Sequence, residues 1–216
     1  YIEVDATPAA GGTALTFNVK PHFFFGTFRL DPEDLLDRSI SSFFRLPFGE
    51  RYSRSELDKI VLSTLDLLKA EGYFDAKVNP VVDYDEKTSL VSVALKVEAT
   101  GKARIGNVSI EGGEQTFSQI ELMDALNIHT GNDFSSDTLE KAVARVRDKF
   151  SKQGFLNTRV SVNQIYLQAT RNVDLQVTVQ PGVFVLVQTR GYNISEKRLR
   201  EVVPVFQEGT VDPDLV

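Results

Sequence analysis

The sequence contains no cysteine, which excludes disulfides, thiolate metal sites and cysteine nucleophiles. It has two histidines, His22 and His129, with no ligand spacing around either, so a metal centre is not indicated. No apolar run approaches the roughly 18 residues that a membrane helix needs. Positive charge is also short. The 24 Lys and Arg residues face 30 Asp and Glu, a net charge of −6, which speaks against a nucleic-acid partner. G-x-S-x-G, H-E-x-x-H and Walker-type loops are all missing. Asp83, Asp85 and Glu86 fall in a turn, and Glu33 and Asp34 in a first helical turn, where acids serve capping and solubility. The chain therefore reads as a non-enzyme without a cofactor or metal.

What is present is an ordinary globular mix: 216 residues, 42% hydrophobic and 25% charged, enough for one to two domains. The chain opens YIEVDAT, with no initiator methionine and no signal-peptide pattern. It also repeats. The segment FGERYSRSELDKIVLSTLDLLKAEGYFDAKV (Phe48–Val78) matches TGNDFSSDTLEKAVARVRDKFSKQGFLNTRV (Thr130–Val160). The offset is constant: 131 − 49 = 82 for the first glycines and 154 − 72 = 82 for the last. A short strand recurs as FGTFRL, IGNVSIEGG and FVLVQTRGYNIS, and an alternating strand as LTFNV, VALKV and LQVTV. Residues 1–20 then form the C-terminal hairpin of one repeat. Residues 21–100 and 101–181 are complete copies, and 182–216 begin a further one.

Each copy opens with a short strand and a turn. In the first copy Asp31 and Pro32 predict an N-cap and N1 pair, and Leu35, Leu36, Ile40 and Phe43 an apolar helical face. In the second copy Ser118 leads into Ile120, Leu122, Met123 and Leu126. A second helix starts at the Ser53/Glu56 capping box and carries Leu57, Ile60, Val61, Thr64, Leu65 and Leu68 at helical spacing. Gly72 and Gly154 predict left-handed helix ends, followed by anchoring aromatics, Tyr73 and Phe155. Lys77–Tyr84 and Leu90–Val97 alternate as a hairpin around Asp85–Ser89. Phe23, Phe24 and Phe25 read as a buried strand and a domain-junction contact, with an aromatic binding patch as the alternative. In the last segment, Ser195 to about Val203 predicts a first helix lacking its normal cover, an end expected to be mobile or held by a neighbour.

The order β-α-α-β-β resembles the polypeptide-transport-associated (POTRA) domain. The strand-then-glycine opening, the G-x-x-[FY]-S loop (GERYS, GNDFS) and the helix exit (EGYFDAKV, QGFLNTRV) carry the resemblance. The first copy departs from it at LDP, with Asp31 where the others have Glu111-Gly112 or Arg190-Gly191. The resemblance implies an α+β chain of tandem repeats, each a small three-stranded mixed sheet covered on one face by two helices. It implies the periplasmic face of the outer membrane of a Gram-negative-type bacterium, and outer-membrane assembly factors of the BamA/TamA type. The implied partners are unfolded outer-membrane proteins, accessory periplasmic proteins or lipoproteins, and a C-terminal outer-membrane β-barrel of the same chain. A two-partner-secretion-type transporter, or another protein-translocation component, is the alternative.

A three-stranded sheet leaves edges that can pair with an extended peptide. The resemblance implies that the second strand of each repeat is the edge used. In the first copy Pro80 interrupts that strand. In the second, Thr158–Gln168 has neither proline nor glycine, and every residue keeps its N–H. The expected peptide-binding edge is therefore Arg159, Val160, Ser161, Val162, Asn163, Gln164, Ile165 and Tyr166.

Overall fold

The computed structural model describes residues 2–9, 11–19, 22–186, Gly191 and Arg198. The helix expected from Ser195 to about Val203, and the behaviour expected of that end, lie outside the described residues. Two compact units are present. One comprises Tyr1–Lys69 and Asp75–Thr100, the other Ala70–Phe74 and Gly101–Val216.

In the first unit, β1 (Ile2–Ala9) and β2 (Gly12–Val19) form a two-stranded sheet of their own. Val4 faces Phe17 and Ala6 faces Leu15 in the ladder, yet Leu15 and Phe17 are 57% and 61% exposed. Its main sheet has β3 (Phe24–Asp31) and β4 (Lys77–Asp85) on either side of β5 (Leu90–Glu98), with β3 parallel and β4 antiparallel to it. The central strand reads LVSVALKVE and buries Val91, Val93 and Leu95, the alternation of a strand with one face in a core. α1 (Arg54–Ala70) covers that face with Leu57, Ile60, Thr64 and Leu68. The buried Thr64 hydroxyl donates to the Ile60 carbonyl at 2.8 Å, so its burial leaves no orphan group. Ser53 Oγ accepts from Glu56 N at 3.2 Å, but the Glu56 carboxylate pairs with Lys59 at 2.9 Å. Only one arm of the expected capping box is therefore present among the described bonds.

The helix expected after Asp31 does not form. Asp31 ends β3, and two 3-10 turns, Glu33–Leu35 and Ile40–Ser42, take its place. The reason lies in the Asp/Ser content of DPEDLLDRSISS. Ser42 Oγ donates to the Ser39 carbonyl at 2.6 Å and Ser39 bonds Ser41, so side chains take bonds that a helix would route through its backbone. Leu36 and Ile40 are still buried, so the apolar pattern reaches the core without a helix.

The second unit repeats the sheet. β6 (Arg104–Glu111) and β8 (Arg159–Leu167) flank β9 (Asn172–Gln180), again with the first strand parallel and the second antiparallel. Here the first helix is present as α2 (Gln119–Leu126). It has a full capping box between Ser118 and Glu121, and Asn127 closes it in the left-handed region. Leu122 and Leu126 are buried, whereas Ile120, expected on the apolar face, is 74% exposed. α3 (Ser136–Lys152) buries Leu139, Ala142, Val146 and Phe150. Arg145 on α3 donates to the Ala125 and Leu126 carbonyls at 3.1 and 2.6 Å and so caps the end of α2. β7 (Phe155–Leu156) pairs with β10 (Val183–Phe184).

The glycines that end the two long helices behave as expected, with φ of +99° at Gly72 and +91° at Gly154. Their carbonyls play matching parts: Gly72 accepts from Ala103 N at 2.8 Å and Gly154 from Val185 N at 2.9 Å, the same 82-residue step. Phe25 is buried as expected of a strand core, Phe24 is exposed, and the Phe23 ring meets Tyr84 edge-on at 5.0 Å.

Candidate functional site: an open sheet edge

Each three-stranded sheet has two edges, and one of them is partly closed by the G-x-x-[FY]-S loop. In the first unit Gly49 N donates to the Phe25 carbonyl, Phe25 N to Glu50 and Tyr52 N to Phe23, at 2.7–2.9 Å. In the second unit Gly131 N donates to Ile105, Ile105 N to Asn132 and Phe134 N to Ala103, at 2.8–2.9 Å. The loop thus occupies main-chain groups at the start of β3 and of β6. This role was not legible in the motif itself, since nothing in G-x-x-[FY]-S names the strand that it meets. The outer sides of β4 and β8 pair with no strand among the described residues.

In an antiparallel ladder, opposed residues alternate between pairs that exchange hydrogen bonds and pairs whose N–H and C=O groups point away from each other. Pro80 has no N–H and sits in the ladder opposite Leu95, which puts it among the outward residues of β4. Val160 lies at the matching phase of β8, opposite Val179, and its carbonyl accepts from Arg147 Nη2 at 3.4 Å from outside the ladder. The outward groups therefore belong to Val78, Pro80, Val82 and Tyr84 on β4, and to Val160, Val162, Gln164 and Tyr166 on β8. Alternation halves the row: of the eight residues expected to form the edge, these four direct main-chain groups outward. Arg159, Ser161, Asn163 and Ile165 direct theirs to β9. Arg147, which caps the first outward carbonyl, could not be found from its place in a helical segment.

Side chains follow the same alternation. Val160 is buried, and Val162 and Tyr166 are partly buried against the core of the second unit. Tyr166 stacks on Phe74 with ring centres 4.8 Å apart. Arg159, Ser161, Asn163 and Ile165 are exposed on the opposite face, where Asn163 Nδ2 donates to Gln176 Oε1 at 3.1 Å. The strand is held on its inner side by β9, while on its outer side Arg147 takes the Val160 carbonyl and no strand among the described residues pairs with Val162, Gln164 and Tyr166.

Of the acids expected in the turn, Asp83 lies within β4 and Asp85 ends it and holds the turn that follows. The Asp85 carboxylate accepts from Thr88 Oγ1 at 2.8 Å and from Lys87 N at 2.9 Å, and these bonds, the first above all, hold its pKa below the ordinary carboxylate value. Glu121 is lowered in the same way by its bonds to Ser118. His22 is lowered chiefly by the charge of Arg51. Among the described residues no group of three or more His, Asp or Glu could hold a metal ion. No helix there is long and apolar enough to cross a membrane.

Comparison with known proteins adds the family. The outer membrane protein assembly factor BamA of Neisseria meningitidis is 22% identical over 157 residues, 72% of this chain and 19% of that protein. The chain thus spans about a fifth of the length of that relative. The crystal structure of Haemophilus influenzae BamA POTRA3-5 is 15% identical, with a TM-score of 0.49, over 83% of this chain and 76% of that one. The N-terminal domain of Omp85 from Thermosynechococcus elongatus is 16% identical, with a TM-score of 0.35, over 84% and 76%. The family model for POTRA, described as surface antigen variable number repeat, matches residues 23–100 and again 103–182. With two tandem matches that together cover most of its length, the chain belongs to the POTRA family.

Proposed function

We propose that this chain is the periplasmic POTRA region of an outer-membrane β-barrel assembly factor, and that it binds unfolded outer-membrane proteins by adding them as a strand to β8. The carrying observation is the proline-free outer edge of β8, where Val162, Gln164 and Tyr166 have no described partner for their outward groups. The assembly role rests on the name of the Neisseria relative. On this reading the C-terminal barrel of the same chain and accessory periplasmic proteins or lipoproteins are the further partners.

The energetics suit a transient carrier. Each main-chain hydrogen bond contributes about 0.5–1.5 kcal/mol net. Association costs about 4 kcal/mol or more. A strand held by three outward residues therefore binds weakly, and main-chain recognition tolerates many sequences. The test is an NMR titration of the 216-residue chain with an extended, alternating barrel-derived peptide. Shifts should concentrate at residues 159–167, and Val162→Pro should weaken binding while leaving the fold intact. Shifts confined to 77–84, or binding unchanged by Val162→Pro, would overturn the assignment.

A further inference from the structure

The open edge of β8 differs along its length. On the face away from the core it presents Arg159, Ser161, Asn163, Ile165 and Leu167 in order. At the first end Arg159 is exposed and forms no ion pair among the described residues, and the Arg147 guanidinium reaches the adjacent Val160 carbonyl. At the other end Ile165 and Leu167 are 37% and 41% exposed. Directly across the ladder from them stand Asp174 and Asn172, so β9 opposes these two apolar side chains with polar ones. One cation, Arg159, at one end of this face and unmatched apolar groups at the other give the edge a direction.

We propose that β8 selects the direction of the strand it receives: an extended segment running antiparallel to it, with outer-face side chains apolar toward its N-terminal end and acidic toward its C-terminal end. The proposal rests on strand addition at β8 and specifies what is added. Antiparallel pairing is the more stable arrangement. In it the C-terminal end of the segment meets Arg159, and its N-terminal end meets Ile165 and Leu167. Because Val160, Val162, Gln164 and Tyr166 turn their main-chain groups outward, the residues between them occupy the non-hydrogen-bonded positions of the new pair. Cross-strand side chains are closest at those positions. Opposite charges and apolar pairs across a sheet stabilise it, and mismatched ends forfeit both.

Two nine-residue peptides of identical composition test this. Both keep the same apolar inner face. One carries its outer-face residues apolar then acidic from N to C, and the other reverses them. Titrated against the 216-residue chain by NMR, the first should bind about three- to tenfold tighter, as expected for a few cross-strand pairs. Arg159→Gln, at an exposed position, should narrow that gap, and a spin label on the first peptide should broaden residues in antiparallel order. Equal affinities, or the reverse preference, with both peptides still weakened by Val162→Pro, would overturn the directional proposal and leave strand addition standing. Binding of neither peptide would overturn both.

Discussion

Pro80 and Val162 occupy the same place in their sheets. Pro80 faces Leu95 and Val162 faces Val177, and each pair is related by the 82-residue step that relates the two repeats. Both stand at outward positions, so the side of each strand bonded to the centre of its sheet is complete with or without proline. The difference falls on the open edge alone, where β8 offers an N–H that β4 lacks.

Pro80→Val should therefore open β4. The ladder to β5 uses the other phase of the strand, so stability should change by less than about 1 kcal/mol, mostly through the unfolded chain. A barrel-derived peptide should then shift residues 78–84 as well as 159–167. Titration of Pro80→Val that leaves 78–84 unmoved would show that something other than the proline blunts this edge.

Gly106 lies at the irregularity in β6, where the Asn107 N–H donates to Asp174 Oδ1 at 2.7 Å. A Cβ at Gly106 would overlap that same carboxylate oxygen. Gly106→Ala should destabilise the second unit by about 1–3 kcal/mol, because moving Asp174 aside breaks its bond to the backbone. Urea unfolding followed at second-unit resonances measures this, and an unchanged midpoint would contradict it.

Ser118 and Glu121 close both arms of a capping box, at 3.3 Å for Glu121 N to Ser118 Oγ and 2.9 Å for Ser118 N to Glu121 Oε2. Ser118→Ala should cost about 1 kcal/mol. The Glu121 carboxyl is held below its ordinary value by the Ser118 bonds. A carboxyl depressed by folding stabilises above its unfolded pKa, and that contribution is lost as pH falls through the folded value. The penalty of Ser118→Ala should accordingly shrink in acid. A penalty that grows toward low pH would be inconsistent with the box.

Tyr52 is pushed up to about 12, first by burial and then by its hydrogen bond to Tyr84. A raised pKa means that the folded state binds the proton more tightly. The resulting stability is complete below pH 10 and is lost as pH rises toward 12. Alkaline titration of tyrosine absorbance should show a late-ionising residue that Tyr52→Phe removes. Its persistence in Tyr52→Phe would assign the late step elsewhere.

Periodicity and repetition made much of the fold legible. The alternation of LVSVALKVE and NVDLQVTVQ marks the central strands, and the 82-residue step carries α1 onto α3. The segment after Asp31 misled because spacing of Leu36 and Ile40 records burial, not helix, and the serine side-chain bonds decide between them. Ile120 misled because helical neighbours of a buried leucine need not share its face. At the edge, residue types along TRVSVNQIYLQ show the missing proline but not the phase of the ladder. Which N–H groups turn outward depends on pairing with β9, and the Arg147 contact depends on how α3 lies over β8. Both are tertiary facts.

Amide hydrogen exchange along β8 tests the central claim most directly. In the free chain, Ser161, Asn163 and Ile165, bonded to β9, should exchange slowly, while Val162, Gln164 and Tyr166 exchange fast. Saturation with an extended barrel-derived peptide should slow Val162, Gln164 and Tyr166 and leave the intervening residues as they were. Uniform protection of residues 159–167 in the free chain, or no slowing of Val162, Gln164 and Tyr166 with peptide bound, would contradict a strand-accepting edge.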